Sequence, residues 1–113
     1  MKPKEFIERY YLHDSYIQKV EYDILNRMIT LDIMFSFWMQ DFYKKGNAKQ
    51  GTIKVVFRNV SKYNCDGGNP AAPLAGILTA KLRNNDLVLA ILDDETGVCF
   101  EMTIAAESVE VVI

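Results

Sequence analysis

The chain has 113 residues, half of them apolar and a quarter charged, with 13 basic and 15 acidic side chains and a formal net charge of −2. That length suits one domain and is short for two. The balance is that of a soluble globular protein, and the slight negative charge argues at whole-chain level against nucleic acid or an anionic membrane as a partner.

Pro3 stands where a first-turn proline loses nothing by lacking an N–H, and Phe6, Ile7, Tyr10 and Tyr11 place one apolar stripe behind it. The spacing predicts a helix over about residues 3–12. The period then switches from 3.6 to 2. Tyr16, Val20 and Tyr22 share one face of a strand, with Lys19 and Glu21 on the other. "DILNR" reads as a turn. Ile29, Leu31, Ile33, Phe35 and Phe37 then alternate strictly with Thr30, Asp32, Met34 and Ser36, the mark of an antiparallel strand with one buried face.

"WMQDFY" either continues that strand past a bulge or covers a sheet edge, and "KKGNAKQG" is a loop. Ile53, Val55 and Phe57 alternate with Lys54, Val56 and Arg58 in a further strand. Residues 61–76, rich in Asn, Gly, Pro and Ala, are expected to form one long irregular loop. "ILTAKL" and "LVLAIL" flank the turn "RNND", whose Asn and Asp side chains tolerate positive φ. "DDETG" turns into "VCFEMTI", "AAES" kinks the chain, and "VEVVI" ends it in β form. The expected fold is mainly β (α+β), one domain spanning 1–113. In it a short N-terminal helix precedes six or seven mostly antiparallel strands in a curled sheet, sandwich or open barrel, with the helix closing one end or edge.

The N-terminus scatters charge through its apolar residues, so no signal peptide is expected, and no apolar run approaches the ~18 residues of a membrane span. Cys65 and Cys99 are far apart and outside any CxxC spacing. Both are expected to be reduced thiols in a cytoplasmic protein, Cys99 packed in a strand and Cys65 in a loop.

Chemistry-bearing residues are few. His13 is the only histidine; with Asp14 as its carboxylate and Ser15 beside it, it is the candidate general base. Neighbours on an extended chain point to opposite faces, so the three are not a ready-made triad, and a turn after a helix wants the same residue types. One histidine excludes His-rich zinc sites, and "DDET" lacks the spacing of a calcium loop, so neither metal nor cofactor is expected. Lys44, Lys45, Lys49, Lys54, Arg58 and Lys62 form a basic block, whereas Asp86, Asp93, Asp94, Glu95, Glu101, Glu107 and Glu110 follow Arg83 without a further cation. This segregation suits either two partner-binding surfaces or adjacent strands whose charges compensate across the sheet. Trp38 and Tyr43, beyond the clean alternation, are the candidate aromatic anchors, and Asp93, Asp94 and Glu95 the candidate acidic contacts.

Leu12-His13-Asp14-Ser15 with Ile17 and Val20, the strand Ile29 to Phe37, "VVFRNV" at Val55 to Val60, and a final strand over Phe100 to Val111 together resemble a group of small bacterial proteins of unknown function. That group includes some relatives thought to act as immunity partners in toxin–antitoxin-type loci and many with no assigned role. The resemblance implies binding to another protein and carries over no catalytic residue. The expectation is therefore a non-enzymatic, immunity- or inhibitor-like domain. The alternatives are a small hydrolase or ligand-binding barrel with a pocket around His13, and a homodimer built by pairing sheet edges.

Overall fold

In the strand Met28–Ser36, alternation decides burial: Ile29, Leu31, Ile33 and Phe35 are each at most 1% exposed, while the residues between them stay partly open to solvent. The computed structural model describes residues 1–113 and extends this logic to the whole chain. One helix, α1 (Pro3–Arg9), precedes eight strands: β1 (Tyr16–Asp23), β2 (Met28–Ser36), β3 (Gln50–Arg58), β4 (Lys62–Asp66), β5 (Ala75–Arg83), β6 (Asp86–Asp93), β7 (Val98–Ala105) and β8 (Ser108–Val112). All pairings are antiparallel, in the single order β4-β7-β6-β5-β1-β2-β3-β8, and the sheet does not close into a barrel.

The sheet is two four-stranded halves joined at a narrow seam. Between β5 and β1 only Tyr16 and Gly76 stand opposite each other, flanked by Asp14 N–H to Ile77 O (3.0 Å) and Ile77 N–H to Ser15 O (2.8 Å). Gly76 suits the seam because a Cβ there would come 3.2 Å from the Tyr16 ring. Tyr22 of β1 and Tyr63 of β4 meet edge to face at 5.2 Å, so the halves also approach where they are not hydrogen-bonded. Helix α1 packs against β5, β6 and β8, and Phe6 enters a 20-residue core shared by both halves.

Four sequence expectations are corrected. The helix ends at Arg9 rather than near residue 12, because the Tyr11 N–H bonds the Gln40 side chain instead of an i−4 carbonyl. The strands number eight, since residues 61–76 are not one loop: Lys62–Asp66 forms β4 and pairs with β7. Only Tyr63 and Cys65 of β4 are even half-buried, which leaves too faint an apolar alternation to read. Cys65 therefore lies in a strand. Cys99 is exposed, because Phe100 and Met102 take the core face of β7 and leave Cys99 and Glu101 on the other. Of the two courses open to "WMQDFY", continuation of β2 is not the one taken, since Phe37–Met39 is a single 3-10 turn.

The turns follow their side chains. Asn84 (φ 52°) and Asn85 (φ 68°) close the β5–β6 hairpin with two consecutive left-handed residues, as a type I′ turn requires. Part of the charge segregation resolves into pairs across the sheet: Arg58–Glu110 (3.1 Å) and Lys62–Asp86 (2.8 Å) join the basic block to the acidic run, while Lys54 pairs with Asp32 (3.1 Å) and Arg83 with Glu101 (2.9 Å). No helix is long and apolar enough to cross a membrane.

Candidate functional site

The His13 segment is a tight turn. Ser15 N–H donates to Leu12 O (3.0 Å) and Asp14 takes φ 61°, the positive third position of a type II turn. His13 Nδ1 lies 2.8 Å from Leu78 O. A carbonyl only accepts, so Nδ1 is the donor of this bond and carries a proton. Nε2 is 3.6 Å from Asp14 Oδ1, longer than a hydrogen bond. The Ser15 hydroxyl is fully buried and bonds neither His13 nor anything else. The His13 ring leans on Tyr11 (centroids 5.8 Å apart) beside a groove of about 200 Å³ lined by Ile7, Tyr10, Tyr11, Leu78 and Thr79. These residues orient one imidazole, with the Asp14 carboxylate at ion-pair distance and the Ser15 hydroxyl turned away from it.

Gln40 joins this turn to the other aromatic cluster. It is 6% exposed, and its Oε1 accepts the Tyr11 N–H at 2.7 Å. Its Nε2 donates to Tyr11 O (2.7 Å) and Ser36 O (3.0 Å). The side-chain amide thus pairs with the Tyr11 peptide as a neighbouring strand would, and holds the segment after β2 against the chain leaving α1. Phe42 packs edge to face on Tyr10 (5.9 Å) in the same joint. Gly51 makes the joint possible, since a Cβ there would sit 2.8 Å from the Phe37 ring.

Pinned this way, the connection between β2 and β3 turns its remaining aromatics outward. Trp38 is 51% and Phe42 47% exposed. Trp38, Tyr43, Lys49 and Gln50 line an open groove of about 760 Å³, and Tyr43 also borders a second of about 220 Å³ with Phe37, Phe42, Asn47 and Ala48. The Tyr43 hydroxyl donates to Asn47 O (3.1 Å) and Trp38 N–H to Lys49 O (3.1 Å), which fixes the loop across the groove. Lys44, Lys45 and Lys49 form no ion pair, unlike Lys54, Arg58 and Lys62 of the same basic block.

The sequence candidates therefore divide. Trp38 and Tyr43 share one groove, and His13 is linked to their segment through Tyr11 and Gln40. Asp93, Asp94 and Glu95 lie at the β6–β7 turn and line none of these grooves. Asp93 is 9% exposed and serves the turn, its Oδ1 accepting Glu95 N–H (3.0 Å) and its carbonyl Gly97 N–H (2.8 Å). Asp94 and Glu95 remain exposed acids. No group of three or more His, Cys, Asp or Glu side chains is arranged to hold a metal. At the outer edge of β8, Met1 exchanges both backbone bonds with Val109 (2.7 and 2.9 Å), which covers part of the edge a homodimer would pair. Gln40 and Gln50 escaped sequence analysis because one glutamine in an aromatic run, or one at the end of a polar loop, carries no periodic signal, whereas Lys49 stood out only as part of the basic block.

Compared with known families, curated proteins and solved structures, the chain matches none.

Proposed function

We propose that the chain is a non-catalytic, immunity- or inhibitor-like domain that binds another protein through the aromatic and basic face formed by residues 37–50. One observation carries this reading: a half-exposed tryptophan beside Tyr43 over an open groove of about 760 Å³, on a loop whose base is hydrogen-bonded through Gln40. Rigid, partly exposed Trp and Tyr side chains are the usual energetic centres of protein interfaces, because they bury much apolar area while ordering few torsions. The face replaces the acidic turn as the main contact, since Asp93 is committed to its hairpin. A cytoplasmic setting belongs to the proposal, because the two unpaired cysteines suit a reducing compartment.

The test is affinity capture with nuclease-treated extract, comparing the wild type with a Trp38→Ala/Tyr43→Ala double variant and an Asp94→Asn/Glu95→Gln double variant. The aromatic variant should release a specific protein that the acidic variant retains. Retention by the aromatic variant would sink the assignment, as would capture that disappears with nuclease.

A further inference from the structure

The strand order β4-β7-β6-β5-β1-β2-β3-β8 leaves two edges. That of β8 carries Met1 and the end of the chain, whereas β4 lies inside the sequence and is paired on the β7 side alone. The β5–β6 turn fixes which groups of β4 are free. Asn84 and Asn85 are the two residues of a type I′ hairpin, so Arg83 and Asp86 exchange both backbone bonds. Bonded and non-bonded pairs alternate from there. Leu87 and Leu89 bond Ile104 and Met102 of β7, and Thr103 turns its groups to Asn64. Tyr63 and Cys65 are left with N–H and C=O pointing away from the sheet. Side chains alternate as well: Lys62, Asn64 and Asp66 are exposed, Tyr63 and Cys65 half-buried.

We infer that β4 receives a second copy of this chain, the two β4 strands pairing antiparallel about a two-fold axis at Asn64. In that register each Tyr63 stands opposite the partner's Cys65, and their outward backbone groups exchange both bonds. Asn64 meets its own copy in the close, non-bonded pair between them. Lys62 stands opposite the partner's Asp66 on both sides of the axis, which no other antiparallel register of Lys62–Asp66 achieves. Lys62 already reaches Asp86 (2.8 Å), and the partner's carboxylate joins the same ammonium. Asp66 has no ion pair within its own chain. A lysine guards an edge strand where copies would meet as like charges; here it selects the register instead. An edge of five residues falls short of a standard interface, so the dimer forms and dissociates with concentration rather than being permanent.

Sedimentation equilibrium of the wild type should show the average mass rising with concentration from one chain towards two and no further, because pairing uses up each copy's edge. Lys62→Glu sets carboxylates opposite each other and Asp66→Lys sets ammonium groups opposite each other. Each variant alone should therefore associate at least about tenfold more weakly. Mixed in equal amounts the two variants are complementary and should recover the dimer, which also shows that both are folded. In hydrogen exchange the Tyr63 and Cys65 amides should slow as concentration rises, while the Asn64 amide, bonded to Thr103, stays slow throughout. Trp38→Ala/Tyr43→Ala should dimerise like the wild type.

A one-chain mass at every concentration up to about 1 mM would overturn the inference. So would single charge variants that associate like the wild type, a mixture that does not associate, or Tyr63 and Cys65 amides indifferent to concentration. Loss of the dimer in Trp38→Ala/Tyr43→Ala would place the contact on the aromatic face and overturn it equally.

Discussion

Gln40 offers the sharpest test of how the binding face is held. Its amide makes three short bonds, two to Tyr11 and one to Ser36, in a position almost closed to solvent. Each such bond contributes about 1 kcal/mol net, and a buried group left without its partner loses more. Water reaching the exposed side of Tyr11 recovers part of this. Gln40→Ala is therefore expected to destabilise the fold by about 2–3 kcal/mol, near the sum of three net bonds. For a domain of this size that corresponds to a fall in Tm of roughly 10 °C.

Gln40→Glu separates geometry from size. The new carboxylate still accepts the Tyr11 N–H but faces the Tyr11 and Ser36 carbonyl oxygens with nothing to donate. Burial and those oxygens raise its folded pKa above the unfolded value of about 4.3. The added loss is then absent below the unfolded value and grows until the pH has risen through the folded one. Urea unfolding followed by Trp38 emission at pH 4 and pH 7, with hydrogen exchange at the Tyr11 amide, measures both effects. A loss under about 1 kcal/mol for Gln40→Ala, or a Gln40→Glu variant whose deficit does not change with pH, would refute the clamp.

Three further outcomes follow from the same structure. Ser15→Ala should leave the protein as stable or about 1 kcal/mol more stable, because it removes a buried hydroxyl without a partner; a clear loss in urea unfolding would mean that the hydroxyl is bonded. Iodoacetamide at mildly alkaline pH should label exposed Cys99 well before Cys65, whose thiol pKa is pushed up by burial and by the Asp66 charge; equal rates by mass spectrometry would contradict this. Arg83 holds the Glu101 carboxyl, and Asn26 the Asp23 carboxyl, below the ordinary range. Their contributions are present above the unfolded carboxylate pKa and are lost as pH falls through the lower folded values. Arg83→Gln and Asn26→Ala should thus be less stable than wild type at neutral pH and converge with it in strong acid, whereas parallel stability curves would refute both pairings.

The mainly β fold was legible because a strand's alternation records which face meets the core, and that record is local. Ile29 to Phe35 and the run "LVLAIL" carry it clearly, and the asparagines of "RNND" announce their turn. β4 was not legible, since an edge strand with two half-buried side chains writes almost no pattern. The His13 turn was visible as a change of period, and the structure adds that its ring is held by Leu78, 65 residues away. Trp38 and Tyr43 stood out as aromatics beyond the alternation, but nothing local says that one groove joins them to Lys49 and Gln50.

Residue type and spacing therefore decide which segments are strands and which face each one buries. Which lysines find an acidic partner and which glutamine takes the place of a strand depend on chain segments tens of residues apart, such as Tyr11 with Gln40 or Lys62 with Asp86. Those pairings exist only once the sheet has formed, because closing such long loops is repaid by the whole assembled core rather than by any one contact.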